Sequence, residues 1–310
     1  CIRDRAHIPA RDSFQGELPL EQLGLQTLRC ETALGFAWIV FDEDVEPLPD
    51  YLGDILPLMA HYELDTMTMT HDQTVTVNCN WKAVHDNFSE LYHVHYLHPQ
   101  HRRFVDCTNA VNELYPRGHT RVRVPGATTD ALFARPEQPT DLLAAQLAAL
   151  GLDPADFEGR VGEIPEAIRE AKRKLAASEP YYANFTDEEL TDVMQTNVFP
   201  NSIFTYQPEM LWLIRPRPHP DNPNLCYLDK LSFERLPQSP GESRPAHDSF
   251  SYADVIDGRK SMTDTIDQDL SLLAHAQRGM QSAGFEQLWI NEIECRIGHF
   301  HERLDALMAG

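Results

Sequence analysis

Residues 80–99 read NWKAVHDNFSELYHVHYLHP and gather His85, Asp86, Glu90, His93, His95 and His98 between Asn80-Trp81-Lys82 and Pro99. A helix is predicted to begin near Trp81. His93 and His98 are five positions apart, roughly 140° around a helix of 3.6 residues per turn. A straight helix would not aim both imidazoles at one ion. A π-like widening, or a break just before Pro99, would. His95 and His98, at i,i+3, fit an unbroken helix better, so spacing leaves the pair open. A single histidine more often caps, packs or faces water. Three within six residues, beside Glu90, point to a metal, with zinc and iron both compatible.

A further ligand has to come from elsewhere in the chain. The stretch SMTDTIDQDLSLLAHAQRGMQ (residues 261–281) carries an apolar stripe through Ile266, Leu270, Leu273 and Met280, and Asp269 falls on that stripe. Asp264 lies further from its centre, and Asp267 sits towards the polar face. A buried carboxylate without a partner is costly, so Asp269 calls for a cation or an ion pair. The plain alternative is a carboxylate at the edge of the stripe, facing water.

The chain has 310 residues, 42% hydrophobic and 24% charged, enough to bury a substantial core. Its longest apolar run, Gly35 to Phe41, is strand-sized and far short of a membrane span. No apolar segment follows Cys1-Ile2-Arg3-Asp4-Arg5, so no signal peptide is expected, and the missing initial Met suggests a start inside a longer protein. A net charge of −22 argues against a nucleic-acid partner. The six cysteines are scattered without a CxxC pair, which fits a reducing cytoplasm.

Residues 34–42 read as a buried strand, and 65–79 as a long strand or a hairpin turning near His71-Asp72-Gln73. His119–Val124 reads as a strand. Residues 127–190 are predicted to be a helical insertion, with Thr140-Asp141 starting one helix, Gly151 stopping it, and a capping box at Thr186–Glu189 opening another. Strands resume at Val198-Phe199, Ile203–Tyr206, Met210–Arg215 and Leu225–Phe233, the last two joined at Asp221–Asn224. A loop over 236–250 precedes helices at about 262–283 and 287–308. Grouped strands followed by long helices argue for an α+β fold with an antiparallel sheet.

The run Asn80-Trp81-Lys82 … Asp86-Asn87-Phe88-Ser89-Glu90-Leu91-Tyr92-His93 … His98-Pro99 resembles the iron-binding signature of the alpha subunit of Rieske non-haem iron oxygenases, the aromatic-ring-hydroxylating dioxygenases. Asp267-Gln268-Asp269 with Gln277-Arg278-Gly279 is similar to the family's C-terminal acidic segment, and Val198-Phe199-Pro200-Asn201 to its active-site strand. The likeness covers roughly 30–125 and 192–310. It implies His93, His98 and Asp269 as ligands of a mononuclear Fe(II). It also implies Glu90 as an acidic bridge to the cluster of a neighbouring subunit, and Asn87 as a residue near the iron. His95 is read as a pocket residue and His85 as surface. The implied fold is the helix-grip (START-like) type, an antiparallel sheet around long helices with an apolar tunnel to the iron. Phe88, Val94, Phe199, Phe204 and Trp212 are candidate tunnel linings, and equally good core residues.

The implied reaction activates O₂ with two external electrons, giving mono- or dihydroxylation or oxidative dealkylation of an organic, in many members aromatic, substrate. The implied partners are a ferredoxin or reductase and two further copies in a homotrimer, in some members with a small beta subunit. The Cys-x-His and Cys-x-x-His pairs that would hold a [2Fe–2S] Rieske cluster are absent from this sequence. Residues 1–30 are therefore read as a remnant following a missing Rieske domain, and 31–310 as the catalytic domain. The rival expectation is a helix-grip module that only binds an apolar ligand. A zinc hydrolase is weaker still, with no HExxH spacing.

Overall fold

Leu34 and Gly35, with φ of 58° and 83°, turn the chain between β1 (Arg29–Ala33) and β2 (Phe36–Val40). A Cβ on Gly35 would lie 2.9 Å from Asp65 Cα, so this turn requires glycine. The expected single strand over 34–42 is thus the second arm of a hairpin. It is half-buried: Phe36 and Trp38 pack inward while Ile39 and Phe41 face solvent. The computed structural model describes residues 7–20, 23–25, 27–42, 44–236 and 244–309.

Two short helices follow, α1 (Leu48–Leu52) and α2 (Ile55–Ala60), burying Leu52, Ile55 and Met59 against the hairpin and the sheet. β3 (Thr68–Val77) is one unbroken strand with a bulge between Met69 and His71. The turn expected near His71 does not form, because Asp72 and Gln73 stay in register with Leu231 and Lys230. Next come α3 (Trp81–Asn87), α4 (Val94–Leu97), β4 (Val111–Leu114) and β5 (Thr120–Val124).

Residues 127–190 hold α5 (Asp141–Ala149) and α6 (Ile164–Leu175). Leu143, Leu147, Phe157, Val161, Ile164 and Ile168 form a small core of their own. The capping box at Thr186–Glu189 forms both reciprocal hydrogen bonds, yet no helix grows from it. The chain has to enter β6 (Val193–Val198) within a few residues. β7 (Ser202–Gln207), β8 (Met210–Pro218) and β9 (Cys226–Glu234) complete a meander.

The expected 236–250 loop ends early, as β10 (Asp248–Ser251) pairs parallel with β3; residues 237–243 lie outside the described residues. α7 (Tyr252–Ile256), α8 (Asp264–Met280) and α9 (Cys295–Ala309) close the chain. The last helix begins eight residues later than expected from 287. Residues 281–291 are irregular and exposed, and Asn291 caps a short turn that leads into it.

The strand order is β10-β3-β9-β8-β7-β6-β5-β4, antiparallel throughout except at the β10–β3 edge. α8 and α3 pack on one face through Val75, Val84, Ile214, Ile266, Leu270 and Leu273. Burial at i, i+4 and i+7 on α8 follows the stripe read from sequence, except that Met280, in its last turn, is largely exposed.

Candidate metal centre

Asn80 caps α3, its side chain accepting from the Lys82 amide. The helix ends at Asn87, and Ser89 folds back to the His85 carbonyl at 2.7 Å. A loop then carries Glu90, and His93 opens α4, which runs only from Val94 to Leu97. His98 leaves helical geometry at φ −114°, ψ 73°, as the residue before a proline is driven to do. This is the break before Pro99 that the His93–His98 pairing demands. The two rings meet with centroids 5.1 Å apart.

From the other side, α8 delivers Asp269 at only 1% exposure. Its Oδ1 lies 3.0 Å from His98 Nε2 and 3.3 Å from His93 Nε2. The opposite nitrogens are held as well. His93 Nδ1 donates to Glu90, whose second oxygen accepts the His93 amide at 3.1 Å. His98 Nδ1 donates to Gln268 Oε1 at 2.6 Å. Both imidazoles thus turn Nε2 to one point beside a carboxylate oxygen, and one ligand atom from each residue falls within 4.8 Å of the others. Two imidazoles and one carboxylate on one side are a donor set suited to a divalent iron with open positions.

The charges converge too. Burial would depress the His93 imidazolium, but Asp269 and Glu90 outweigh it and hold its pKa up to about 9. Burial would likewise raise the Asp269 carboxyl, and hydrogen bonds from the two histidines hold it below the ordinary carboxylate range. A carboxylate this deep is tolerated because the imidazoles of His93 and His98 both face it within hydrogen-bonding reach.

Beside the three lies a cavity of about 220 Å³, walled mainly by apolar side chains. Asn87, Phe88, Val94 and Trp212 line it, as do His93, His98, Glu90 and Asp269. Phe199 and Phe204, candidates from sequence, do not line it. Phe204 is packed in the core beneath the hairpin, and Phe199 sits in the β6–β7 connection against Phe300. His95 is not a lining residue either: it is buried and paired with Asp130 at 2.7 Å. His85, expected on the surface, is 2% exposed and stacked on the Phe300 ring of α9 at 3.8 Å.

Sequence reasoning passed over Gln268 and His101. Gln268 neighbours Asp269 but falls off the apolar stripe, and only the tertiary fold shows that it reaches His98. His101 lines the cavity with Nε2 2.8 Å from Thr265 Oγ1, and burial pushes its pKa down to about 4, which leaves it neutral. The two motifs are also tied directly across 197 positions, since Gln277 Oε1 accepts the Asn80 amide at 3.1 Å.

Residues 64–310 match the family model described as ring hydroxylating alpha subunit (catalytic domain). Among curated proteins, the chain is 32% identical over 120 residues to the methanesulfonate monooxygenase hydroxylase subunit alpha of Methylosulfonomonas methylovora, covering 36% of this chain and 28% of that protein. It is 32% identical over 88 residues to the anthranilate 1,2-dioxygenase large subunit of Burkholderia cepacia, covering 27% and 20%. Among solved structures, a quaternary ammonium Rieske monooxygenase superposes with a TM-score of 0.61 at 15% identity, over 97% of this chain and 66% of that one. Naphthalene 1,2-dioxygenase superposes with a TM-score of 0.60 at 15% identity, over 99% and 70%. The aligned stretches are thus under a third of those curated relatives' lengths. With the family model spanning most of its length, the chain belongs to the ring hydroxylating alpha subunit family and comprises that family's catalytic domain.

Proposed function

We propose that this chain is the oxygen-activating module of a Rieske-type oxygenase, with His93, His98 and Asp269 as the ligands of a mononuclear Fe(II). The observation that carries this is the convergence of His93 Nε2, His98 Nε2 and Asp269 Oδ1 beside an apolar cavity. Bound there, iron would supply O₂ activation for hydroxylating a small organic substrate. Glu90 and Gln268 hold the imidazoles in the tautomer that leaves Nε2 free. Asn87, whose Nδ2 is buried without a protein partner among the described residues, sits on the cavity wall as a donor for a bound molecule. The apolar walls keep water away from the reacting carbon. A module that only held an apolar ligand would have no use for anchored nitrogens on both histidines.

Electrons would come from a [2Fe–2S] cluster held outside these 310 residues and fed by a separate ferredoxin or reductase. Glu90, only 9% exposed but next to the half-exposed Tyr92, would be the entry point from a neighbouring subunit of a homotrimer. The division into residues 1–30 and a catalytic unit over 31–310 belongs to the same proposal. Iron content of anaerobically purified protein tests it. Near-stoichiometric Fe(II) in the wild type, lost in His93→Ala and Asp269→Ala with the fold retained by circular dichroism, is the expected result. A wild type without iron, or an Asp269→Ala variant that keeps it fully, would overturn it.

A further inference from the structure

Arg296, on α9, is fully buried, and no carboxylate among the described residues pairs with it. Its Nη1 donates to Gln195 Oε1 at 2.8 Å, while Nε and Nη2 have no protein partner among the described residues. A guanidinium has donors only, so the Gln195 amide must turn its oxygen towards Arg296. That fixes the other end. Gln195 Nε2 donates to Thr205 Oγ1 across the β6–β7 pair at 3.2 Å. With its oxygen already accepting, the Thr205 hydroxyl is left to donate, and both Thr205 and Gln195 line the cavity beside the metal centre.

The cavity wall therefore carries one hydroxyl donor whose direction is set by a buried cation two hydrogen bonds away. Chains of aligned donors polarise one another, which strengthens the last one. Burial pushes the Arg296 pKa down to about 10, offset only in part by the field of Glu90, which forms no ion pair with it. An anion in the cavity would add to the counter-charge that Glu90 supplies only in part.

We propose that the Arg296–Gln195–Thr205 relay selects the substrate: a small organic oxyanion, a carboxylate or a sulfonate, whose charged end accepts from Thr205 and whose apolar body lies against Val193, Trp212 and Ile214. The proposal rests on the reading above only in taking this cavity as the substrate site. At about 220 Å³, the space exceeds the roughly 150 Å³ that holds one benzene in an apolar cavity. It therefore suits a body of one ring with a compact head group.

Calorimetric titration with benzoate, benzamide and toluene tests it, on metal-free and Fe(II)-loaded protein alike. Benzoate is expected to bind about tenfold or more tighter than toluene, the range of a charge-assisted hydrogen bond. Benzamide should fall between them. Thr205→Val, close to isosteric, should remove the preference for benzoate while leaving toluene binding unchanged. Gln195→Glu gives Arg296 its own carboxylate, so it should raise thermal stability and still weaken benzoate. Equal affinity for benzoate and benzamide, or a Thr205→Val variant that keeps the preference, would overturn the relay. Iron analysis of the same preparations reads the metal centre separately: a chain that binds no iron yet shows the Thr205-dependent preference would sink the oxygenase reading and uphold the relay.

Discussion

His98 Nδ1 and Gln268 Oε1 lie 2.6 Å apart, and the same oxygen accepts from Gln100 Nε2 at 2.9 Å. One glutamine side chain thereby locks the His98 imidazole and the loop that follows it. Gln268→Leu should leave the fold intact and weaken iron binding by about 10- to 100-fold, the usual effect of losing a ligand's supporting partner. Competition against a chelator of known affinity measures this. An unchanged affinity would mean that His98 is oriented by packing alone.

Glu90→Gln tests the other anchor. Glutamine can still accept from His93 Nδ1 but carries no charge. Iron affinity is expected to fall by about tenfold, while Glu90→Ala falls further, towards about 100-fold. Equal losses in the two would assign the effect to the charge instead of the hydrogen bond.

Acid should weaken the fold through His119. Its Nε2 donates to the Tyr51 carbonyl at 2.9 Å and its Nδ1 accepts the Phe199 amide at 3.0 Å, an arrangement open only to the neutral ring. Burial depresses its pKa below the ordinary 6.5, and it does the same to His85. As pH falls below 6.5, the unfolded chain takes up protons that the folded one refuses, so stability present above that value is lost towards the folded pKa. His301, raised by Asp86, works the other way, losing stability as pH rises through its folded pKa. Urea midpoints at pH 7.5 and 5.5 read the net effect. The fall on acidification should be smaller in His119→Asn than in the wild type, and an equal fall would exclude His119 as a contributor.

Gly126 stands where the chain leaves β5 for the insertion. A Cβ there would meet the Thr191 carbonyl oxygen at 2.1 Å, and the Gly126 amide donates to Asp192. Gly126→Ala should cost about 1–3 kcal/mol, the range for forced overpacking. Chemical denaturation measures it. A change within about 0.5 kcal/mol, the scatter of surface substitutions, would show that this junction relaxes freely.

What the sequence disclosed follows from where each signal is stored. Asp269 stood out because burial at a helical period is a local pattern, and β5, β7, β8 and β9 alternate plainly enough to be read as strands, whereas β6 was expected only from Val198 and in fact runs Val193–Val198. The choice of His98 over His95 as partner of His93 was not local. It depends on the chain breaking helix before Pro99, and on Asp130, 35 residues from His95, drawing that imidazole away. His85 looked like a surface residue because the ring that covers it, Phe300, is more than 200 positions away. The capping box at Thr186 was correctly seen as a cap, but a cap starts a helix only where the following chain is free to continue it, and β6 claims that chain.

The 171 residues separating His98 from Asp269 bear on how the site comes into being. An unfolded chain holds at most the histidine pair, so the proposed three-residue centre closes only once α8 has docked on the sheet, across a long loop whose closure costs entropy. Iron would then act as a fastener on the finished molecule. At 100 times its dissociation constant it would add about 2.7 kcal/mol to the native state, so stripping the metal should lower the melting temperature of the whole chain as well as empty the centre.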